Sequence, residues 1–422
     1  MLANSKVSSP SREVSVVFLG SDTGIYALAR SFHEAYGIKS HVVTRGEFGP
    51  IANSNILTVH EIGLDVQPND YVDYVLAHLD QLKGANQTAI LLTNTDHLVE
   101  ALCRRKDELD QHFFLPLLPL ETYEKISEKQ SFFELCQATG VKTPLTMSLS
   151  FGKGDKPKLN VAETDLDFPV IAKPALSADY EKVKFAGQHK VYQLSSQAEV
   201  DQLIATLEQA GFEGEFVFQH KVVGDDTTMR SLTAYVDGSG QVTLLSSARV
   251  LLEDHAPGLI GVPLAMVTET FPDLAEGAKR LLAEVDYRGF ANFDVKVDAN
   301  TGEPFFLEVN PRIGRNAYYA CAGGANPAVA VMRDLLGLEV AEPMGVARTV
   351  LYRLVPLPLL VRYLDPDDVA LVKRLKKQKA VVHPLAYRQE KSFARWYYVI
   401  GSTAKQFLKF RKYYPKRNAD AI

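Results

Sequence analysis

The chain opens on an unbroken apolar run, VSVVFL from Val14 to Leu19, closed by Gly20. Helical spacing of apolar positions follows over residues 24–36, and a second run over 39–44 completes a strand–helix–strand opening. A third run, residues 89–92, leads through TNTD into a helical pattern carrying Leu98 and Leu102. Together these predict an open, mostly parallel α/β domain over residues 1–120, with ligands expected at the carboxyl ends of its strands. Gly20, Ser21, Asp22 and Gly24 stand at one such end, and Asn94, Thr95 and Asp96 at another. Ser and Asp there also serve as helix N-caps, and GSDTG lacks the spacing of a dinucleotide-binding fingerprint. One helix is predicted over residues 122–139, stopped by Gly140. Beyond Pro157 the period becomes two: FPVIAKP, KVYQL and EFVFQHKVVG read as strands. Two hairpins follow, TAYVDGSGQVTLLSSARV with a DGSG turn and ANFDVKVDANTGEPFFLEVNP with an ANTG turn.

The last hairpin is where chemistry concentrates. Alternation puts Phe293, Val295 and Val297 on one face and Asn292, Asp294 and Lys296 on the other. In the return strand Leu307 and Val309 face the core, and Glu308 and Asn310 face away. Folding about Thr301 sets Asp294 opposite Glu308 and Asn292 opposite Asn310, with Cβ atoms about 4.5–5.5 Å apart. Two carboxylates at that distance repel unless a cation lies between them. All-oxygen donors suit Mg²⁺ or Mn²⁺ rather than zinc; two acids on a solvated sheet face are the plain alternative. Lys173 and Arg249 in strands, with Arg312 and Arg315 just past Asn310, tip the balance towards a polyphosphate site bridged by metal.

With those residues in view, the chain resembles the ATP-grasp superfamily of ligases, over roughly residues 120–335. That family orders a lysine at a helix start, a lysine on a strand, a hinge strand reading adenine, an acid for the ribose, and a D…ExN metal set. Lys129, Lys173, the hinge QHKVVGDD and DVKVD…LEVNPR match it in turn. YALARSFHEAYGIKS, FFELCQATGVKTP and LEVNPRIGRNAYY further resemble D-aspartate ligases of the cell-wall pathway. The resemblance implies an α/β and α+β chain: an N-terminal domain over 1–120, an ATP-grasp fold over 121–340 and a small basic C-terminal segment over 341–422. It implies ATP and Mg²⁺ held by Asp294, Glu308 and Asn310. Lys129 and Lys173 would meet the phosphates, Gln219, Lys221 and Val222 the adenine, and Asp226 the ribose. Arg312 would act on the transferring phosphoryl group, and Arg249 or Arg315 on the substrate carboxylate. The partners implied are a small amino acid and a peptide-type amine acceptor, joined through an acyl phosphate. A ligase of the same family with another acid and amine, and a nucleotide-binding protein without turnover, are the alternatives. Two features depart from the family: the stretch after Lys173 has only Gly187, with Lys184 or Lys190 as candidates to reach phosphate, and the hinge has Gln219 and His220 where an acid is common. His255 is the one histidine offered as a base for the amine.

Composition narrows the field further. At 46% hydrophobic, with 21 Phe and 18 Tyr, the chain has enough apolar material to fold throughout. Cys103, Cys136 and Cys321 form no CxxC pair, which excludes a disulfide scaffold or zinc ribbon and suits a reducing cytosol. The apolar runs are short and Pro-broken, and the first residues are polar, so a membrane-crossing helix or secretory signal is not expected and a cytoplasmic protein is. The net charge of −5 hides an asymmetry: residues 371–417 hold fourteen Lys and Arg against one acid, Glu390, a net +13 that leaves −18 elsewhere. The acidic body argues against nucleic acid as the partner. Aromatics interleaved with the cations predict either a weak contact with the inner membrane face or a C-terminal subdomain whose core is Trp396 and its neighbouring tyrosines.

Overall fold

The computed structural model describes residues 14–84, 88–152, 156–175, 180, 182–189, 191–257 and 259–417. The N-terminal sheet is four-stranded and parallel, in the order Leu57–Glu61, Ser40–Thr44, Val14–Leu19, Thr88–Thr93. Its two strands Val14–Leu19 and Thr88–Thr93 are covered on both faces, which is why they read as continuous apolar runs. The edge strand Leu57–Glu61 was not legible: LTVHE is short, half polar and half exposed. Helix Thr23–Tyr36 starts at Asp22, whose Oδ1 accepts from the Ile25 N–H at 2.9 Å, and ends at Gly37 with φ +70°.

The single helix expected over 122–139 is two, Leu120–Ser127 and Lys129–Thr139. Glu128 separates them in extended conformation and caps the second, accepting from the N–H groups of Gln130 and Ser131. Lys129 therefore occupies the first position of a helix. A four-stranded sheet follows in the order Thr146–Phe151, Gly214–His220, Val170–Pro174, Tyr192–Leu194. The strand read through to Gly224 stops at His220. Val170, Ala172, Phe216 and Phe218 pack against Leu203 and Leu207 of helix Gln197–Gln209. By alternation Ile171 and Lys173 take the opposite face, with Gln219 paired to Ile171 and Val217 to Lys173.

The largest sheet has seven strands, in the order Pro304–Asn310, Gly289–Val297, Met229–Val236, Val242–Asp254, Val262–Thr268, Leu351–Arg353, Val381–Val382. On one face Leu232, Ala234, Phe293 and Val295 meet Phe132 and Cys136 of helix Lys129–Thr139 and Ala278 and Leu281 of helix Pro272–Glu284. On the other, Tyr235, Ala248, Val250 and Met266 share a core with Tyr319 and with Ile25 and Phe32 of the N-terminal helix. The central sheet is thus held between the N-terminal domain and its own helices.

The basic C-terminal segment contributes two strands to this sheet and ends in helix Phe393–Tyr413. The expectation that its aromatics form one core needs correcting. Phe410 and Tyr414 are buried beside Tyr363, whereas Trp396 and Tyr397 stand on the outside. No helix among the described residues is long and apolar enough to cross a membrane.

Candidate active site

The hairpin forms in the expected register where it matters: Asp294 lies opposite Glu308 and Asn292 opposite Asn310. One residue further the register shifts, so that Val295 meets Phe306 and Leu307 is left as the extra residue of a bulge. That corrects the strict alternation read from FFLEVNP: Phe306 is buried with Val309, and Leu307 is only half-buried. The bulge sits against the Asp294–Glu308 pair.

Around that pair the side chains interlock. The Asn310 amide Nδ2 reaches Asp294 Oδ2 at 3.4 Å and Glu308 Oε1 at 3.3 Å, long bonds that bridge the two carboxylates. Asn292 Nδ2 lies 3.4 Å from Asp294 Oδ1, and its Oδ1 accepts from Thr233 at 3.3 Å. Tyr319, buried below, donates towards Thr233 Oγ1 at 3.0 Å. Gly314 is needed beside this stack: a Cβ there would come within 2.5 Å of Asn292 Oδ1. The two carboxylates supply hard oxygen donors of the kind a magnesium-like cation takes, while the Asn310 amide turns its nitrogen to them and its oxygen to Arg312. No group of three or more His, Cys, Asp or Glu that could hold a metal ion is found among the described residues.

Arg312 joins the hairpin to the N-terminal domain. Its Nη2 donates to Asn310 Oδ1 at 3.1 Å, and its Nε to Asp96 Oδ1 at 2.6 Å. Burial opposes its charge, but Asp96 foremost, then Asp294 and Glu308, hold the guanidinium above its ordinary pKa. Arg315 makes a parallel link, its Nε 3.2 Å from Asp22 Oδ2. Asp22 also accepts from Asn94 Nδ2 at 2.9 Å. The strand ends singled out in the N-terminal domain therefore meet the two arginines. The approach is close enough that a Cβ on Gly24 would lie 2.3 Å from Asn94 Nδ2 and 2.8 Å from the Arg315 Cα. Beside them is a cavity of about 250 Å³ lined by Asp22, Arg315, Asn316, His383, Gln406 and Lys409, among others. Its Gln406 Oε1 is buried and accepts no bond among the described residues.

The candidate lysines lie in and around the smaller sheet. Lys129 Nζ donates to the Ala175 carbonyl at 2.6 Å, just past the strand that carries Lys173. Gln219 is buried, donating to Thr146 Oγ1 at 2.7 Å, and Lys221 donates to Gln193 Oε1 at 2.9 Å. Val222 is buried next to them. The hinge is tied to the turn of the carboxylate hairpin by a residue that the sequence did not mark. Asp298 Oδ2 accepts from the Val223 N–H at 2.9 Å, and Val223 O accepts from the Ala299 N–H at 2.9 Å. Burial opposes the Asp298 charge, but the N–H groups of Val223, Thr301 and Asn300 hold its pKa below the usual carboxylate range. Lys190 lies outside the described residues, and Lys184 is exposed.

Two of the expected site residues are used elsewhere. Arg249 pairs across strands with Arg230, which in turn pairs with Val295. It therefore lies on the Phe293–Val295 face, opposite to Asn292 and Asp294. There it forms a double hydrogen bond with Asp368, at 2.6 and 3.0 Å. Asp226 is turned inward. Its Oδ2 accepts from the Glu253 N–H at 2.8 Å and pairs with His255 Nε2 at 3.0 Å, and its Oδ1 is buried without a bond among the described residues. His255 is further stacked on Tyr414 at 3.6 Å between centroids, so its ring serves this contact. Glu253 is a buried acid the sequence reading passed over. Burial first, then the charges of Asp226 and Asp294, push its pKa well above the usual carboxylate range, against the pull of Lys296.

No protein-family model matches the chain. It is 29% identical over 405 residues to a D-aspartate ligase of Enterococcus faecium, covering 94% of this chain and 96% of that protein. Solved structures share its fold at low identity. An L-amino acid ligase from Bacillus licheniformis matches with a TM-score of 0.52 at 14% identity, over 76% of this chain and 74% of its own. A biotin carboxylase from Campylobacter jejuni, in complex with an ATP analogue, matches at 0.58 and 14%, over 79% and 73%. A phosphoribosylamine–glycine ligase from Thermotoga maritima matches at 0.56 and 17%, over 80% and 79%.

Proposed function

From a chain with the ATP-grasp fold, similar along nearly its whole length to a D-aspartate ligase, we infer an ADP-forming carboxylate–amine ligase. Its proposed reaction joins D-aspartate to the lysine side chain of a UDP-linked peptidoglycan precursor. The observation that carries the reading is the opposed pair Asp294 and Glu308, bridged by Asn310 and flanked by Arg312.

A carboxylate is a poor electrophile, and conversion to an acyl phosphate divides a hard step into two easier ones. A substrate carboxylate oxygen attacks the γ-phosphorus of ATP and ADP leaves. The acceptor amine then attacks the acyl carbon, phosphate leaves, and the amine gives up a proton. Asp294, Glu308 and Asn310 would hold Mg²⁺, which when bound neutralises phosphate charge. Lys129 and Lys173 face the polyphosphate, and the backbone from Gln219 to Val222 reads the adenine. Arg312, oriented by Asp96, stabilises the transferring phosphoryl group. Arg315, at the wall of the 250 Å³ cavity, holds a carboxylate of the amino acid. An ammonium group is largely protonated at neutral pH, so the acceptor lysine must lose its proton on entering the site.

ADP release tests this reading with the purified protein, ATP and Mg²⁺. D-aspartate, L-aspartate and D-alanine are compared with and without a lysine-containing precursor. ADP should form only with D-aspartate and precursor together. Equal turnover with L-aspartate would overturn the substrate, and no turnover with any pair would overturn the ligase.

A further inference from the structure

Helix Phe393–Tyr413 has two unlike sides. The inner side is bolted down. Buried Arg395 donates to the Pro50 carbonyl at 2.7 Å, lies 3.4 Å from Glu390 and places its guanidinium 3.7 Å from the Tyr26 ring centroid. Lys409 is ion-paired with Asp254, and Phe410 packs against Tyr363. The outer side carries Phe393, Trp396, Tyr397, Ile400, Phe407 and Leu408. At 3.6 residues per turn these six fall within an arc of about 120°. Phe393 is 89% exposed, Tyr397 76%, Leu408 70% and Trp396 64%. A folded protein rarely leaves so long an apolar stripe in water without a use for it.

The charge beside the stripe says what it faces. Lys391, Lys405, Arg411, Lys412 and Lys416 are all exposed. The sequence from Lys391 to Arg417 contains no Asp or Glu. Lys412 lies over the Tyr413 ring at 4.7 Å, keeping cation and aromatic side by side. A second copy of this helix would bring like charges together. A sheet of anionic headgroups over acyl chains matches both the cations and the apolar arc. We propose that this helix docks the protein on an anionic lipid surface, lying flat with the Phe393–Leu408 stripe at the acyl boundary and the flanking lysines and arginines at the headgroups. This inference is independent of the ligase reading.

The chain has a built-in reporter, because Trp396 is its single tryptophan and stands in the stripe. The full-length protein is mixed with phosphatidylcholine vesicles carrying about 30% phosphatidylglycerol, or with phosphatidylcholine alone. Trp396 emission should move to shorter wavelength, and the protein should co-sediment, with the anionic vesicles only. Both effects should fade between 0.1 M and 1 M salt, as the Debye length shrinks from ~10 Å to ~3 Å. The double variant Tyr397→Ser, Leu408→Ser keeps the reporter and the inner contacts. It should bind the vesicles at least about tenfold more weakly with circular dichroism and thermal melting unchanged. No shift with anionic vesicles at low salt overturns the proposal. So does equal binding to neutral vesicles. A lipid-free shift that grows with protein concentration, with dimers in sedimentation, assigns the stripe to a second copy instead.

Discussion

The two faces of the seven-stranded sheet carry charged residues of similar kind with opposite fates. On the face towards the N-terminal domain, Asp294 and Glu308 are bridged by an amide and approached by Arg312, with the 250 Å³ cavity close to Arg315. On the far face, Arg249 is locked to Asp368. Arg230, directly opposite Arg249 in the ladder, has its pKa pushed down to about 10 by burial and by the Arg249 charge. Residue type does not separate the two groups, since both faces hold arginines with carboxylate partners. What separates them is how the carboxylates are arranged: on the far face one arginine–carboxylate pair, on the near face two carboxylates directly opposed across a hairpin. On the far face Asp368 is answered by Arg249. On the near face Asp294 and Glu308 stand opposite each other, bridged by the Asn310 amide nitrogen and electrostatically coupled to Arg312.

The largest break in that contrast is expected from Glu308→Gln. ADP formation should fall by at least about 10³-fold, because the carboxylate proposed to hold the metal loses its charge. Stability should change by less than about 0.5 kcal/mol, since Glu308 is half-exposed. The two arginines sharpen it. Arg312→Ala should lower kcat by about 10²-fold. Arg249→Met should leave kcat unchanged and lower stability by about 1–3 kcal/mol, because Asp368 is left without its partner. Steady-state kinetics beside thermal melts read both effects.

How the two domains meet is tested by Gly24→Ala. The added methyl would strike Asn94 and the Arg315 backbone, costing about 1–3 kcal/mol and raising KM for the amino acid as Arg315 shifts. The smallest effect expected is on pH dependence. Burial foremost, then Arg353 and Arg30, lower the His383 pKa to about 3. Its Nδ1 accepts from the Leu385 N–H at 3.2 Å, so the folded state keeps this ring neutral. Between pH 6.5 and about 3 the unfolded chain binds the extra proton and the folded one does not. Stability therefore falls as pH is lowered through that window, by at most about 1.4 kcal/mol per pH unit from this group. Denaturant melts at pH 7 and pH 5 should show the fall, and His383→Gln should reduce it.

Much of the near face was legible because a hairpin is local. The ANTG turn and period-two alternation suffice to pair Asp294 with Glu308, and the pairing holds up to the bulge at Leu307. The bulge itself leaves no mark in FFLEVN, so Phe306 and Leu307 exchange their expected places. Arg249 was misread for a reason of range. Its parity within Val242–Asp254 is plain, but its face relative to Asp294 depends on register carried through Met229–Val236, two pairings away. Asp226 was placed by motif position, and only the fold brings Glu253 and His255 to its carboxylate. The Asp298 bond to Val223 spans 75 residues, beyond any local pattern.

The central claim is that the near face activates a carboxylate by phosphorylation. The most direct test is to identify the nucleotide product by phosphorus NMR during amide formation with D-aspartate and precursor. The account predicts ADP and inorganic phosphate in step with the amide, and neither from the Glu308→Gln protein. AMP and pyrophosphate in step with the amide, or unchanged turnover in that variant, would contradict it.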